Sequence, residues 1–288
     1  MTEHTAIIHD IGYRNYEGPR LGRGNAARAL TLHSLRGVFG LGRTTRAKII
    51  PFLLVAIMLL PAVVSIAVMA LAKQSGIPYY SYAVAMQAVL AIFLASQAPY
   101  LVAPDLRYRV LPLYLSRPVT VLDYVGAKLV AMTAALFLLL AVPLTVMYVG
   151  ELLVDLPGPP RTHDYIASVV STLLIALLLA SIGLALASFT PRRGLGVASV
   201  IAFYLFTSAV SGVFYAVLVS TGHEAAAGWT MLISPFFLVD SVQVALFGTP
   251  PASGEGYPAG PWPALILLAV IALALTALIS RYRKAASS

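Results

Sequence analysis

The chain contains no cysteine. That excludes a disulfide framework and any thiolate metal site. Charge is also scarce: 10% of the 288 residues are Asp, Glu, Lys or Arg, whereas 59% are hydrophobic. A soluble domain carries about 25% charged residues. This chain has too few to cover a water-facing surface, which places it in the membrane class. Three further absences bear on chemistry. No G-x-x-x-x-G-K-[ST] occurs; the nearest fragment, Gly126-Ala127-Lys128, lacks the glycine loop before it and the hydroxyl residue after it. The chain therefore cannot cradle ATP phosphates by that device. The centres of the long apolar runs hold no Asp, Glu, Lys, Arg or His, which argues against a proton relay or an ion-coupled pump. There is no G-x-S-x-G, no H-E-x-x-H and no carboxylate pair within a run, as an embedded hydrolase would need. The chain is expected not to be an enzyme and to carry no metal or cofactor of its own. An energy source, if there is one, lies outside it.

What is present is hydrocarbon in runs long enough to cross a bilayer, for which about 20 residues are needed. Six such runs lie at roughly 49–72, 83–103, 124–149, 165–188, 195–220 and 263–280. A seventh stretch, 231–247, is shorter and interrupted by Pro235, Asp240 and Gln243; it is expected to be a re-entrant or interfacial helix on the outer face. The expected fold is an all-α polytopic membrane protein. It divides into a cytoplasmic arm, residues 1–48, and a six-span domain, residues 49–288.

Orientation follows from Lys and Arg. The arm, the loops after spans two and four and the C-terminal tail hold all of these residues except Lys73 and Arg161. Both termini and those two loops are thus expected in the cytoplasm. The net charge of +8 then reports topology, and nucleic acid is not expected as a partner. The first apolar run begins too late and is too long for a signal peptide, so it is expected to act as an uncleaved anchor. An Arg- and Ala-rich composition points to a GC-rich bacterium, and so to its plasma membrane.

Within the arm, residues 8–24 are rich in Gly, Arg and Tyr and show no period, so an irregular segment is expected. Residues 25–41 place Leu30, Ser34/Leu35, Val38 and Leu41 at helical steps, with Arg28 and Arg36 on the other side. The pattern fits a helix lying on the membrane surface with its arginines near lipid phosphates, or an ordinary juxtamembrane helix that only sets topology. Span four carries a small-residue stripe, Thr172, Ala176, Ala180, Gly183 and Ala187, suited to close helix approach within the chain or at a dimer seam. Span five carries Tyr204, Ser208, Ser211 and Tyr215 at steps of four, three and four. That stripe either lines a path for an amphipathic or lipid-like compound or forms interhelical hydrogen bonds.

Between spans two and three the chain changes character. Pro104-Asp105 fits a helix start, with the carboxylate against the positive end of the helix dipole. Leu106, Val110 and Leu113 follow at helical steps, and Arg117-Pro118 ends the segment. Leu106, Val110 and Leu113 offer an apolar ridge, Tyr108 and Tyr114 aromatic anchors, and Asp105, Arg107, Arg109 and Arg117 charges for register. Lys128 is expected to snorkel to the cytoplasmic surface.

The stretch "LYLSRPVTVLDYVGAK" resembles the segment between spans two and three of ABC-2-type permeases, the membrane subunits of ATP-binding-cassette exporters. The matching positions are Leu113, Leu115, Pro118, Val119, Thr120, Tyr124, Gly126 and Lys128. With six spans, a basic arm and an interrupted segment before span six, the likeness extends over nearly the whole chain. The arm "IHDIGYRNYEGPRLGR" also looks like the start of actinobacterial permeases of this kind. The resemblance implies a division of labour. A separate ATPase subunit holds ATP and Mg and docks on a coupling helix near 105–117. The arm helix adds a second contact, and two permease chains, identical or different, enclose the path. A membrane-embedded enzyme and a non-transporting scaffold that recruits a cytosolic protein stand as alternatives.

Overall fold

The computed structural model describes residues 12, 18, 22–108, 110–116, 119–154, 156–190, 192–254 and 256–287. Most of the irregular segment expected over 8–24 lies outside them, as do Arg109, Arg117 and Pro118. The described residues form helices and turns, with no strand among them. In chain order the α-helices are α1 (Arg23–Val38), α2 (Thr45–Ala72), α3 (Tyr82–Ala85), α4 (Gln87–Arg107), α5 (Leu111–Leu115), α6 (Val121–Leu153), α7 (Thr162–Phe189), α8 (Arg193–Ser220), α9 (Glu224–Met231), α10 (Pro235–Phe247) and α11 (Trp262–Ala286). A single 3₁₀ turn, Tyr79–Ser81, precedes α3.

Six of these helices, α2, α4, α6, α7, α8 and α11, are long and apolar enough to cross a membrane. They coincide with the six apolar runs, with shifts at the ends. The second begins at Gln87 rather than 83, because Met86 leaves helical geometry (φ −94°, ψ 12°) and separates α3 from α4. It also continues through Pro104 to Arg107. The third begins at Val121, where Thr120 and Asp123 form a reciprocal capping box. With 33 residues at 1.5 Å each, α6 is about 50 Å long and outreaches a hydrocarbon core of about 30 Å.

The centre of the bundle is α7, which touches α4, α6, α8, α10 and α11. Its small-residue stripe serves this role. Thr172, Ala176, Ala180 and Ala187 are buried, and a Cβ on Gly183 would lie 2.5 Å from Leu94 Cδ1 of α4. The stripe therefore lets α4 and α7 approach within one chain. By contrast α2, α8 and α11 turn apolar side chains outward, among them Leu60, Val63, Phe206, Val213, Leu268 and Leu273. Such surface is stable against lipid or another apolar chain.

The seventh stretch forms two helices, α9 and α10, which meet at an angle of 113°. Pro235 is the first residue of α10, and it holds Ser234 in extended geometry (φ −78°, ψ 126°). At 8 and 13 residues neither helix crosses a bilayer alone.

Candidate partner-docking site

At one end of the bundle α1, α5, the end of α4, the start of α6, the end of α7 and the close of α11 come together. This is the basic end of the bundle. Its centre is Asp105. The sequence pattern placed this residue at the start of a helix, facing outward as a register charge. The structure places it in the last turn of α4, 8% exposed. There the carbonyl end of the helix dipole opposes a carboxylate, and neighbouring groups compensate. Lys128 Nζ lies 3.1 Å from Asp105 Oδ2, and the Tyr124 hydroxyl donates to the same oxygen at 2.6 Å. Lys128 also donates to the Leu101 carbonyl at 2.9 Å. It does not snorkel: its ammonium is drawn inward by the buried carboxylate. Tyr124 in turn packs against Tyr282 of α11 and Tyr114, with ring centroids 5.9 and 5.2 Å away. The charges at 105 and 128 thus tie α4 to α6, and the Tyr124 ring that joins them packs on α11, rather than facing outward.

The continuous helix expected over 105–117 is also corrected. After Arg107 the chain leaves helical geometry at Tyr108 (φ −94°, ψ 4°). It resumes in α5, which has only five residues, with Pro112 at its second position. A proline lacks the N–H that an interior helix position must donate, so Pro112 marks a new start rather than a continuation. Leu111 anchors α5 by burying its side chain, and Leu106 packs against the core from the end of α4. Val110 caps α5 and is half-buried. What faces outward is Arg107, Tyr108, Leu113 and Tyr114, with Tyr108 67% and Leu113 72% exposed. The Arg107 guanidinium sits over the Tyr108 ring at 5.5 Å.

The arm helix α1 lies beside this platform, packed on α6 and α4. Arg23 makes a two-pronged contact with Asp123, Nε to Oδ2 at 2.6 Å and Nη2 to Oδ1 at 2.9 Å, and reaches Thr120 Oγ1 at 3.0 Å. The hydrogen bond to Asp123 and its charge raise the Arg23 pKa. Nothing in the local sequence signals this pair, whose members are 100 residues apart; only the Thr120-x-x-Asp123 capping box is visible as a motif. Ser34, Gly37 and Val38 of α1 are buried, whereas Arg28 and Arg36 are exposed. Leu41, assigned to the apolar face, is exposed because the chain has left the helix before it. The turn into α2 depends on Gly40, at φ +70°, where a Cβ would lie 2.6 Å from the Ala47 carbonyl oxygen.

The four residues of the span-five stripe face inward from α8. Tyr204 meets Phe236 of α10 edge-on at 5.9 Å, and Ser211 Oγ lies 3.8 Å from Met231 Sδ of α9. Ser208 is half-buried. Tyr215 lines a cavity of about 600 Å³ at the opposite end of the bundle, together with Glu224, Trp229 and Tyr257. The stripe is thus divided between packing against the bent helix pair and this cavity.

The opposite end is fastened by a second buried ion pair. Arg161 Nη2 lies 3.1 Å from Glu151 Oε2 at the end of α6, and the Tyr79 hydroxyl donates to the same carboxylate. Burial, followed by the bond to Glu151, raises the Tyr79 pKa. Tyr148 and Tyr165 stack beside it, 4.2 Å apart and nearly parallel. No protein-family model matches the chain, and no curated protein is similar to it.

Proposed function

We propose that the chain is the permease subunit of an ATP-driven ABC-2-type exporter, with the basic end in the cytoplasm of a bacterial plasma membrane. A separate ATPase subunit docks there and supplies ATP and Mg. The observation that carries this reading is the exposed cluster of Tyr108, at the end of α4, with Leu113 and Tyr114 of the short α5, beside the buried Asp105–Lys128 pair. Apolar and aromatic side chains held rigidly in water are stable when covered by a protein surface. A mount tied to α4, α6 and α11 can carry a push from that surface into three spans. The arm helix α1, fixed to the base of α6 through Arg23 and Asp123, offers a second contact beside it.

The apolar faces of α2 and α8 support pairing with a second permease chain as well as contact with lipid. The central path suits an amphipathic or lipid-like compound, because the six spans hold no charge at their centres.

The test is reconstitution in liposomes with a soluble ATPase that co-purifies with the chain. Stimulated ATP hydrolysis and ATP-dependent movement of an amphipathic probe are expected. Leu113→Asp is expected to abolish the stimulation while leaving the protein folded. Normal coupling in Leu113→Asp, or recruitment of a cytosolic protein with no ATP-dependent transport, would defeat the reading; the latter outcome favours a scaffold.

A further inference from the structure

We infer that α7 and α10 form a binding site for a small dehydrated monovalent cation of Na⁺ size, centred on Asp240. Asp240 is 3% exposed. One of its oxygens, Oδ2, is satisfied: it accepts from the Tyr257 hydroxyl at 2.5 Å and from the Ala252 backbone N–H at 2.8 Å. The other, Oδ1, is buried without a hydrogen-bond partner. The same is true of Gln243 Nε2, Ser168 Oγ and Ser171 Oγ, and all four residues are at least nine-tenths buried. They line one cavity of about 10 Å³, close to the least volume that holds a single water-sized particle.

The arrangement is built from two helical repeats of three. Asp240 and Gln243 share a face of α10, and Ser168 and Ser171 share a face of α7. Elsewhere on α7 the hydroxyls turn back onto their own helix: Thr172 donates to the Val169 carbonyl and Ser181 to the Leu177 carbonyl, each at 2.7 Å. Ser168 and Ser171 make no such bond, and both line the cavity that Asp240 lines.

The charge decides what fits. Among the described residues no basic side chain pairs with Asp240, unlike Asp105 and Glu151, which each have one. A buried carboxylate without a counter-charge is strongly disfavoured. Water would meet the hydrogen-bonding needs but not the charge, and a proton would meet the charge but leave the serines and the amide unpaired. A cation meets both. It would take Asp240 Oδ1, two serine oxygens and Gln243 Oε1, since the two ends of an amide side chain are interchangeable in assignment. One carboxylate among neutral oxygens suits a single positive charge. No cluster of three or more His, Cys, Asp or Glu side chains exists among the described residues to hold a transition metal. The inference does not depend on the exporter reading.

The test is thermal unfolding of the purified full chain in detergent, in NaCl, KCl or choline chloride at one ionic strength. A saturable rise specific to NaCl is expected, roughly 5 °C at a hundredfold excess over Kd. Asp240→Asn is expected to abolish it, and Ser171→Ala to raise the half-saturating Na⁺ concentration at least about tenfold. Equal midpoints in the three salts, equal rises in NaCl and KCl, or Na⁺ dependence retained in Asp240→Asn would each overturn the site. If Asp240→Asn does not fold, the wild-type salt series and Ser171→Ala still decide.

Discussion

Lys128→Met is the sharpest probe of the mount beneath α5. The substitution keeps the length and apolar stem of the side chain and removes only its charge and donors. Lys128 and Asp105 are each 12% exposed at the side chain and 3.1 Å apart, so solvent cannot replace the lost ammonium. The Tyr124 hydroxyl at 2.6 Å would remain as Asp105's one side-chain partner, at the unfavourable end of α4. Breaking a buried pair in this way costs about 3–5 kcal/mol. At roughly 2–4 °C per kcal/mol for a chain of this order of size, the midpoint in detergent should fall by about 10 °C. Removing both charges is a different perturbation. Asp105→Leu combined with Lys128→Met leaves no buried charge unpaired, only the buried Tyr124 hydroxyl without its acceptor, and the double variant should recover part of the loss. A fall of less than about 2 °C in Lys128→Met, or a double variant as damaged as the single one, would refute the claim that this pair holds the mount.

Three other substitutions separate packing from docking. Leu113→Asp should shift the midpoint by no more than about 0.5 kcal/mol equivalent, because the side chain is 72% exposed; a large loss of stability would show that Leu113 packs within the chain. Gly40→Ala combines left-handed geometry with a backbone clash against Ala47, and a cost of about 2 kcal/mol or more is expected, read as a lower unfolding midpoint. Gly183→Val would drive its Cβ against Leu94 between α4 and α7. Overpacking there should cost about 1–3 kcal/mol, and an unchanged midpoint would mean that the two helices do not meet at this point.

The six long apolar helices were legible because hydropathy summed over about 20 residues needs no knowledge of which helices are neighbours. Helix ends were less so. Pro104 looks like a start, and in isolation it suits one, but α4 runs through it because Leu101, Val102 and Asp105 on either side are buried against other helices. Tertiary packing outweighs the single hydrogen bond that proline forgoes. The stretch between α4 and α6 is legible as a composition but not as a geometry. Leu106 and Leu113 share a helical face on paper, yet the break after Arg107 turns one into the core and the other into water. The roles of its charges are hidden for the same reason. A carboxylate and an ammonium 23 positions apart carry no local sign that they are partners. The Thr120-x-x-Asp123 cap was readable, but the guanidinium that completes it comes from an arm almost 100 residues earlier.

Apolar runs without ionisable groups at their centres point to a driving force from outside the chain. Asp105 and Lys128 lie at one end of the bundle and Glu151 and Arg161 at the other, and each pair is neutralised within itself. Neither needs to move charge across the membrane. Asp240 is different: it is buried between α7 and α10 with no basic partner among the described residues, on a bent element against which part of the α8 stripe packs. If a cation bound there only fastens α10 to α7, transport in reconstituted liposomes should require ATP and should be unchanged when a Na⁺ gradient is collapsed at constant Na⁺ concentration. If the gradient alone drives the probe while the ATPase is inactive, ATP-driven coupling through the α5 platform fails as the source of energy, and the cation site stands. If removing Na⁺ altogether lowers both transport and the unfolding midpoint while the gradient has no effect, the ion is a structural clasp and the motor is the docked subunit. The two readings therefore separate on one apparatus: a gradient tests what the ion drives, and its concentration tests what the ion holds.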